Sequence, residues 1–322
     1  MTNLLASPTL RSVARTLLKA PIRLSARFTC GKRFLLWATK LYTVRNDTDE
    51  KSVWLFEYIL RVSGIASSDF MQHTRMQTGI WMDLDIREVD QRKLFFFERA
   101  EEEVTRVMRR LLRAGGTFID VGANVGFHSL TAAQIVGPSG SVVAIEPNPS
   151  VRSRLEQNAT INGFTRNMTL LAFAVGERCG ELILYPAKSN ISGITSRFCY
   201  SDMLSPEGMQ VEMTTLDEIV ESSGISRIDL IKIDVEGGEL LALEGASRVI
   251  ERFAPNIVAE VSPSILNRTG IEVSAIFQFM EARQYKAYLI HGSGETPVAA
   301  VQTASLPAVA NILFTRSDFV SA

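Results

Sequence analysis

Thr117-Phe118-Ile119-Asp120-Val121-Gly122-Ala123-Asn124-Val125-Gly126-Phe127 is the stretch that decides how this chain folds. An apolar run ends in an acid, and two glycines follow four residues apart. The pattern predicts a buried strand, a tight turn and the start of a helix. Gly122 and Gly126 let the chain turn sharply and let backbone approach a ligand closely. The helix after them offers unpaired N–H groups at its first turn. A dinucleotide-binding turn would read G-x-G-x-x-G here and seat a pyrophosphate on that helix end. This turn instead reads D-x-G-x-N-x-G, with Asp120 closing the strand and Asn124 in place of a glycine. An acid at that point suits a cationic or amine-bearing ligand better than a diphosphate.

Outward from this turn, short Val- and Ile-rich runs alternate with helical stretches. Strands are predicted at Thr117–Val121, Ser141–Ile145, Thr169–Val175, Ile228–Ile233, Asn256–Val261, Lys286–Ile290 and Val309–Thr315. Helices are predicted at Gly126–Ile135, Ser150–Asn162, Leu216–Ser222, Gly238–Ile250 and Val273–Arg283. Near-continuous apolar strands separated by helices define an α/β fold with a mostly parallel, seven-stranded sheet and helices on both faces. Such a sheet binds its ligand at the carboxyl ends of its strands, beside the first strand.

The chemistry-bearing residues fall at those ends. Glu146, in Val143-Ala144-Ile145-Glu146-Pro147-Asn148, tips the second strand and can accept hydrogen bonds from both hydroxyls of a ribose. NAD enzymes use an acid there too, so Asp120, Asn124 and Glu146 discriminate only together. With Gly122, Gly126, Asn148 and Glu236 they form the expected cofactor set. S-adenosylmethionine, with a sulfonium and an ammonium, matches it. Lys232, Asp234 and Glu236 alternate along the fourth strand and so share a face. A Lys beside two acids can shift a pKa toward neutrality, or it can simply be a salt bridge closing the strand. Asp234 is the leading candidate for general base or acceptor orientation, with Lys232 and Glu260 as further catalytic candidates. Glu260, inside an apolar strand, needs a partner: the acceptor or Lys232. His128 is expected to pack or hydrogen-bond locally, and Asp217 to be structural. The long polar segment Lys188–Gln210 reads as a loop over the acceptor site. No metal site is expected.

In order, Thr117–Gly126, Ala144–Pro149, Thr215-Leu216-Asp217 and Leu230-Ile231-Lys232-Ile233-Asp234-Val235-Glu236-Gly237 resemble the FkbM-type methyltransferases. The resemblance runs from about Met82 to Phe314. Its most specific part is Lys-x-Asp-x-Glu-Gly. It implies a class I, Rossmann-like methyltransferase fold, S-adenosylmethionine as cofactor and an oxygen nucleophile as acceptor, such as a hydroxyl of a polyketide, sugar or glycan. His128 stands where an aromatic is common in the family and Gly238 where Ala is common. A different class, an NAD-linked oxidoreductase, is disfavoured by Asn124 and by the lack of a hydride-transfer Tyr/Lys or His/Asp set. A non-catalytic binder that kept the fold is disfavoured by intact Asp120, Glu146, Asp234 and Glu236.

Three segments are expected: a basic, mainly helical N-terminal extension (1–70), the first strand and helix of the catalytic domain (71–114) and the cofactor-binding domain (115–322). Residues 1–46 carry nine Lys or Arg and no Asp or Glu. They suit a basic helical extension, a transit peptide or an amphipathic arm on an anionic membrane. No apolar run approaches the ~20 residues of a spanning helix. The remainder has no basic-aromatic platform, so nucleic acid is not an expected partner. Three cysteines with no CxxC fit a reducing, cytoplasmic setting, and a formal net charge of -1 suggests no bulk preference for nucleic acid.

Overall fold

The computed structural model describes residues 34–41, 70–186, 195–196, 205, 207–298, 303 and 305–318. They divide into two units, one of residues up to Gln77 with Met82–Ala100, the other of Thr78–Trp81 with Glu101 onward. The sequence also predicts a helix over Val53–Val62 capped by Asp49; that helix and most of Lys188–Gln210 lie outside the described residues.

The first unit contains α1 (residues 34–41), β1 (Met71–Arg75), most of β2 (Trp81–Asp85) and α2 (Val89–Phe97). β1 and β2 pair as a two-stranded sheet. Lys40 of α1 is 2.8 Å from the Glu98 carboxylate and 4.4 Å from the centre of the Phe95 ring. Its ammonium also bonds the Thr74 hydroxyl. The charged stretch Glu98–Leu112 predicts a helix with Val104, Val107, Met108 and Leu111 on one side; the helix begins later, because Glu98 (φ 58°) and Glu101 (φ 39°) both adopt left-handed backbone that a helix cannot continue through.

The second unit opens with α3 (Glu102–Leu111) and then builds a sheet from β3 (Thr117–Val121), β4 (Ser141–Ile145) and β5 (Met168–Leu171). Between them run α4 (Phe127–Val136) and α5 (Pro149–Ile161), the latter capped by Asn148 with proline in its first turn. A smaller sheet follows: β6 (Ala174–Val175), β7 (Gly180–Pro186), β8 (Thr195–Ser196) and β9 (Met209–Thr214), in the order β6-β9-β7-β8. After α6 (Leu216–Ser223) comes β10 (Leu230–Ile233). The predicted helix Gly238–Ile250 is two short ones, α7 (Glu239–Glu244) and α8 (Ser247–Phe253). They meet at Gly245, where a Cβ would fall 2.0 Å from the Gly176 carbonyl oxygen. The chain ends with β11 (Asn256–Val261), α9 (Pro263–Thr269), α10 (Val273–Glu281), β12 (Lys286–His291), β13 (Gly294–Pro297) and β14 (Ala310–Thr315).

The main sheet runs β13-β12-β14-β11-β10-β3-β4-β5. β5, β4, β3, β10 and β11 are parallel, and β14 inserts antiparallel between β11 and β12. This is the class I methyltransferase architecture. All seven expected strands take part, with an eighth, β13, added at the edge as a hairpin on β12. One expected strand, Thr169–Val175, breaks: its first half is β5, and its second half leaves as β6 for the small sheet. All five residues of β3 are buried. Ile119 and Val121 face the core shared with α6–α8 and α10. The alternate residue Asp120 meets Ser129 of α4 on the opposite face. The chain order reverses between β3 and β10, which places a crevice at their carboxyl ends.

Candidate active site

That crevice is lined by Gly122, Asn124, Glu146, Phe173, Asp234 and Glu236, among others. Gly122 (φ 84°) is there by necessity. A Cβ on it would fall 1.8 Å from the Asp234 carbonyl oxygen, so the turn after β3 lies flat against the chain leaving β10. Gly126 serves packing instead: a Cβ would meet Leu155 of α5 at 2.2 Å, and Gly126 does not line the crevice.

Glu146 is anchored by backbone. One carboxylate oxygen accepts the Asn124 N–H at 3.0 Å and the other the Asn148 N–H at 2.9 Å. Asn124 adopts φ 49° and braces itself by accepting the Val125 N–H on its own side chain. Asn148 holds Glu146 and caps α5, and it does not line the crevice. Burial pushes the Glu146 carboxyl up to about 7, against the two N–H donors that favour its charge. Each of its oxygens keeps acceptor capacity, which fits a ribose diol.

Asp120 lies beneath the crevice, 1 % exposed. One oxygen accepts the Ser129 hydroxyl at 2.5 Å, and the other has no hydrogen-bond partner among the described residues. Burial raises its pKa, with Lys232 opposing. Lys232, 3 % exposed, stands behind Asp234 with its ammonium 2.8 Å from one Asp234 oxygen. Burial alone would lower the Lys232 pKa, but Asp234, Glu101 and Asp120 together raise it well above its ordinary value. Glu236 (φ 52°) shapes the rim together with Gly238. Below that loop, buried Glu239 accepts the N–H groups of Gly237 at 3.0 Å and Val235 at 3.3 Å, and burial pushes it up to about 7.

Glu260 does not close an ion pair with Lys232. Its carboxylate gathers instead with those of Asp234 and Glu101, one oxygen of each within 4.8 Å of the others. Repulsion from Asp234, then burial, drives its pKa far above the carboxylate range. Glu101 is the residue that sequence reasoning missed. At the start of α3, it accepts His128 Nε2 at 2.6 Å and Asn311 Nδ2 at 2.8 Å and lies 3.9 Å from the Lys232 ammonium. Burial raises its pKa, but Lys232, His128 and Asn311 outweigh burial and hold it well below the usual range. Left-handed backbone at a non-glycine residue is costly and persists where the surroundings enforce it, here by those three contacts. His128 therefore bonds locally, to an acid brought from another helix. Asp217 accepts the N–H groups of Arg248 and Val249 and so caps α8.

A mostly parallel sheet of this order, with β14 inserted antiparallel beside β11, is the fold of the class I methyltransferases. Residues 120–287 match the Methyltransferase FkbM domain. The chain belongs to the FkbM methyltransferases, whose methyl donor is S-adenosylmethionine. It is similar to the hexuronic acid methyltransferase AglP of Haloferax volcanii, at 29% identity over 154 residues, 48% of this chain and 59% of that one. It is also similar to the 31-O-demethyl-FK506 methyltransferase FkbM of Streptomyces tacrolimicus, at 26% identity over 174 residues, 47% of this chain and 66% of that one. A third relative is the 2-O-methyltransferase NoeI of Sinorhizobium fredii, at 24% identity over 203 residues, 58% of this chain and 80% of that one. The chain thus spans less than two thirds of the length of the first two.

Proposed function

We propose that this chain transfers a methyl group from S-adenosylmethionine to a hydroxyl oxygen of a sugar, glycan or similarly small acceptor. One observation carries the reading: Glu146, tethered by two backbone N–H groups, and Asp234, fixed by a buried Lys232, line the same crevice. The cofactor supplies an electrophilic methyl group on a sulfonium. Glu146 would hold the ribose diol, with Gly122 and Asn124 lining the same crevice. Glu236 and Asp234 give the mouth a negative character that suits a cationic ligand. With one oxygen committed to Lys232, Asp234 presents the other to the acceptor hydroxyl, orienting it and taking its proton. Lys232 is too buried to reach an acceptor and acts by positioning Asp234. The raised pKa of Glu260 beside Asp234 favours a proton on its carboxyl, which would offer a hydrogen-bond donor at the same spot.

Two of the relatives' names, 31-O-demethyl-FK506 methyltransferase and 2-O-methyltransferase, specify an oxygen position and support oxygen as the nucleophile, and the name of a third specifies a hexuronic acid. Transfer of isotope-labelled methyl from the donor to hexuronic acids, neutral sugars and polyketide alcohols tests the reading. Label on a hydroxyl oxygen, abolished by Asp234→Asn, supports it. Label on nitrogen or carbon, or turnover undiminished in Asp234→Asn, contradicts it.

A further inference from the structure

We propose that the outward aromatic stripe of α1, which lies in a stretch of sequence free of acids, docks on an anionic phospholipid membrane. Every exposed position of α1 is a large apolar residue: Phe34 (61% exposed), Trp37 (60%) and Leu41 (38%). Their i, i+3, i+7 spacing puts them on one stripe. The Phe34 and Trp37 rings lie 6.0 Å apart and make that stripe a continuous ridge.

The inward positions are Leu36 and Thr39, and the Thr39 hydroxyl is satisfied on the Leu35 carbonyl oxygen. A helix serving only to cover its own core would turn Trp and Phe inward and Thr outward. Lys40 enforces the observed orientation, because its ion pair to Glu98 and its place over the Phe95 ring break if the helix rotates.

Charge identifies the occupant. The first 46 residues hold nine Lys or Arg and no acid, and with Lys40 committed to Glu98 eight remain. Aromatic rings at headgroup depth and cations facing anionic lipid are the two signals that together give lasting peripheral attachment. A second copy of the chain fits poorly, since a twofold contact at α1 would bring together two copies of a sequence that carries Lys32 and Arg33 immediately before Phe34 and no acid up to Asn46. At eight residues α1 is far shorter than the ~20 of a spanning helix, so its contact is interfacial.

Co-sedimentation of the full chain with phosphatidylcholine vesicles, with and without phosphatidylglycerol, tests the proposal. Expected is binding to the anionic vesicles, weakened by salt, and none to phosphatidylcholine alone. The double variant Phe34→Glu, Trp37→Glu should bind about tenfold more weakly or worse, since two large rings are withdrawn from lipid. Its circular dichroism should be unchanged. Should that variant not fold, a chain carrying Trp54→Phe and Trp81→Phe reports from Trp37 alone, whose fluorescence brominated lipid should quench. Absence of binding to anionic vesicles, absence of quenching or equal binding by the folded double variant would overturn the proposal. So would a dimer that the double variant dissolves.

Discussion

Lys232→Met tests whether one buried ammonium holds the acidic cluster together. Lys232 is 3 % exposed, bonds Asp234 at 2.8 Å, lies 3.9 Å from Glu101 and opposes the raised pKa of Asp120 and of Glu260. Methionine keeps an unbranched apolar stem and removes the ammonium, with its charge and its hydrogen-bond donors. Taking one partner from a buried pair costs about 3–5 kcal/mol, because the remaining charges stay desolvated without compensation. For a unit of this size that is a fall in Tm of about 10 °C. The loss depends on pH. The pKa values of Asp120 and Glu260 are raised in the folded state, so their contribution to stability is present at low pH and lost as pH rises. Without Lys232 that decline steepens. The gap between variant and native protein should be widest near pH 8 and narrower near pH 5.5, read by calorimetry at both. A variant whose Tm at pH 8 stays within about 2 °C of the native value would refute the reasoning, because such a shift is well under 1–2 kcal/mol.

Two further outcomes follow from the loops on either side of the crevice. Gly122→Ala combines left-handed backbone with a Cβ 1.8 Å from the Asp234 carbonyl oxygen, so it should lower stability by about 2–5 kcal/mol and weaken S-adenosylhomocysteine binding. Thermal unfolding and calorimetric titration read the two effects. Glu239, at about 7 in the folded chain against an ordinary 4.5, gives stability that is present below pH 4.5 and lost as pH rises through 7. Glu239→Gln abolishes that titration. The variant should therefore gain about 3 kcal/mol relative to the native protein between pH 4.5 and pH 8, seen as a shallower fall of Tm with pH.

The central sheet was legible because its strands are buried on both faces and so read as unbroken apolar runs, as Thr117–Val121 and Ser141–Ile145 do. β7 and β9 were not, since their exposed and half-buried residues weaken the apolar signal and the polar segment between them reads as loop. The break of Thr169–Val175 was hidden for the opposite reason. The run stays apolar throughout, but Phe173–Val175 turns away to line the crevice. Asp120, Glu146 and Asp234 could be placed because strand ends in an open sheet converge on one edge. Glu101 could not. It stands among Glu98, Glu102 and Glu103 in a charged stretch, and only the fold determines which of the four meets His128, Asn311 and Lys232. Edge strand β13 was obscured by Glu295, a buried acid matched by Arg106 and Arg110 from far upstream.

Calorimetric titration of the native chain and of Glu146→Ala with S-adenosylhomocysteine, and of the native chain with NAD, tests the cofactor reading most directly. Expected is binding of S-adenosylhomocysteine by the native chain, about tenfold to hundredfold weaker in Glu146→Ala because charged hydrogen bonds to the ribose are lost, and no heat with NAD. Heat with NAD and none with S-adenosylhomocysteine, or equal S-adenosylhomocysteine affinity in the two proteins, would contradict it.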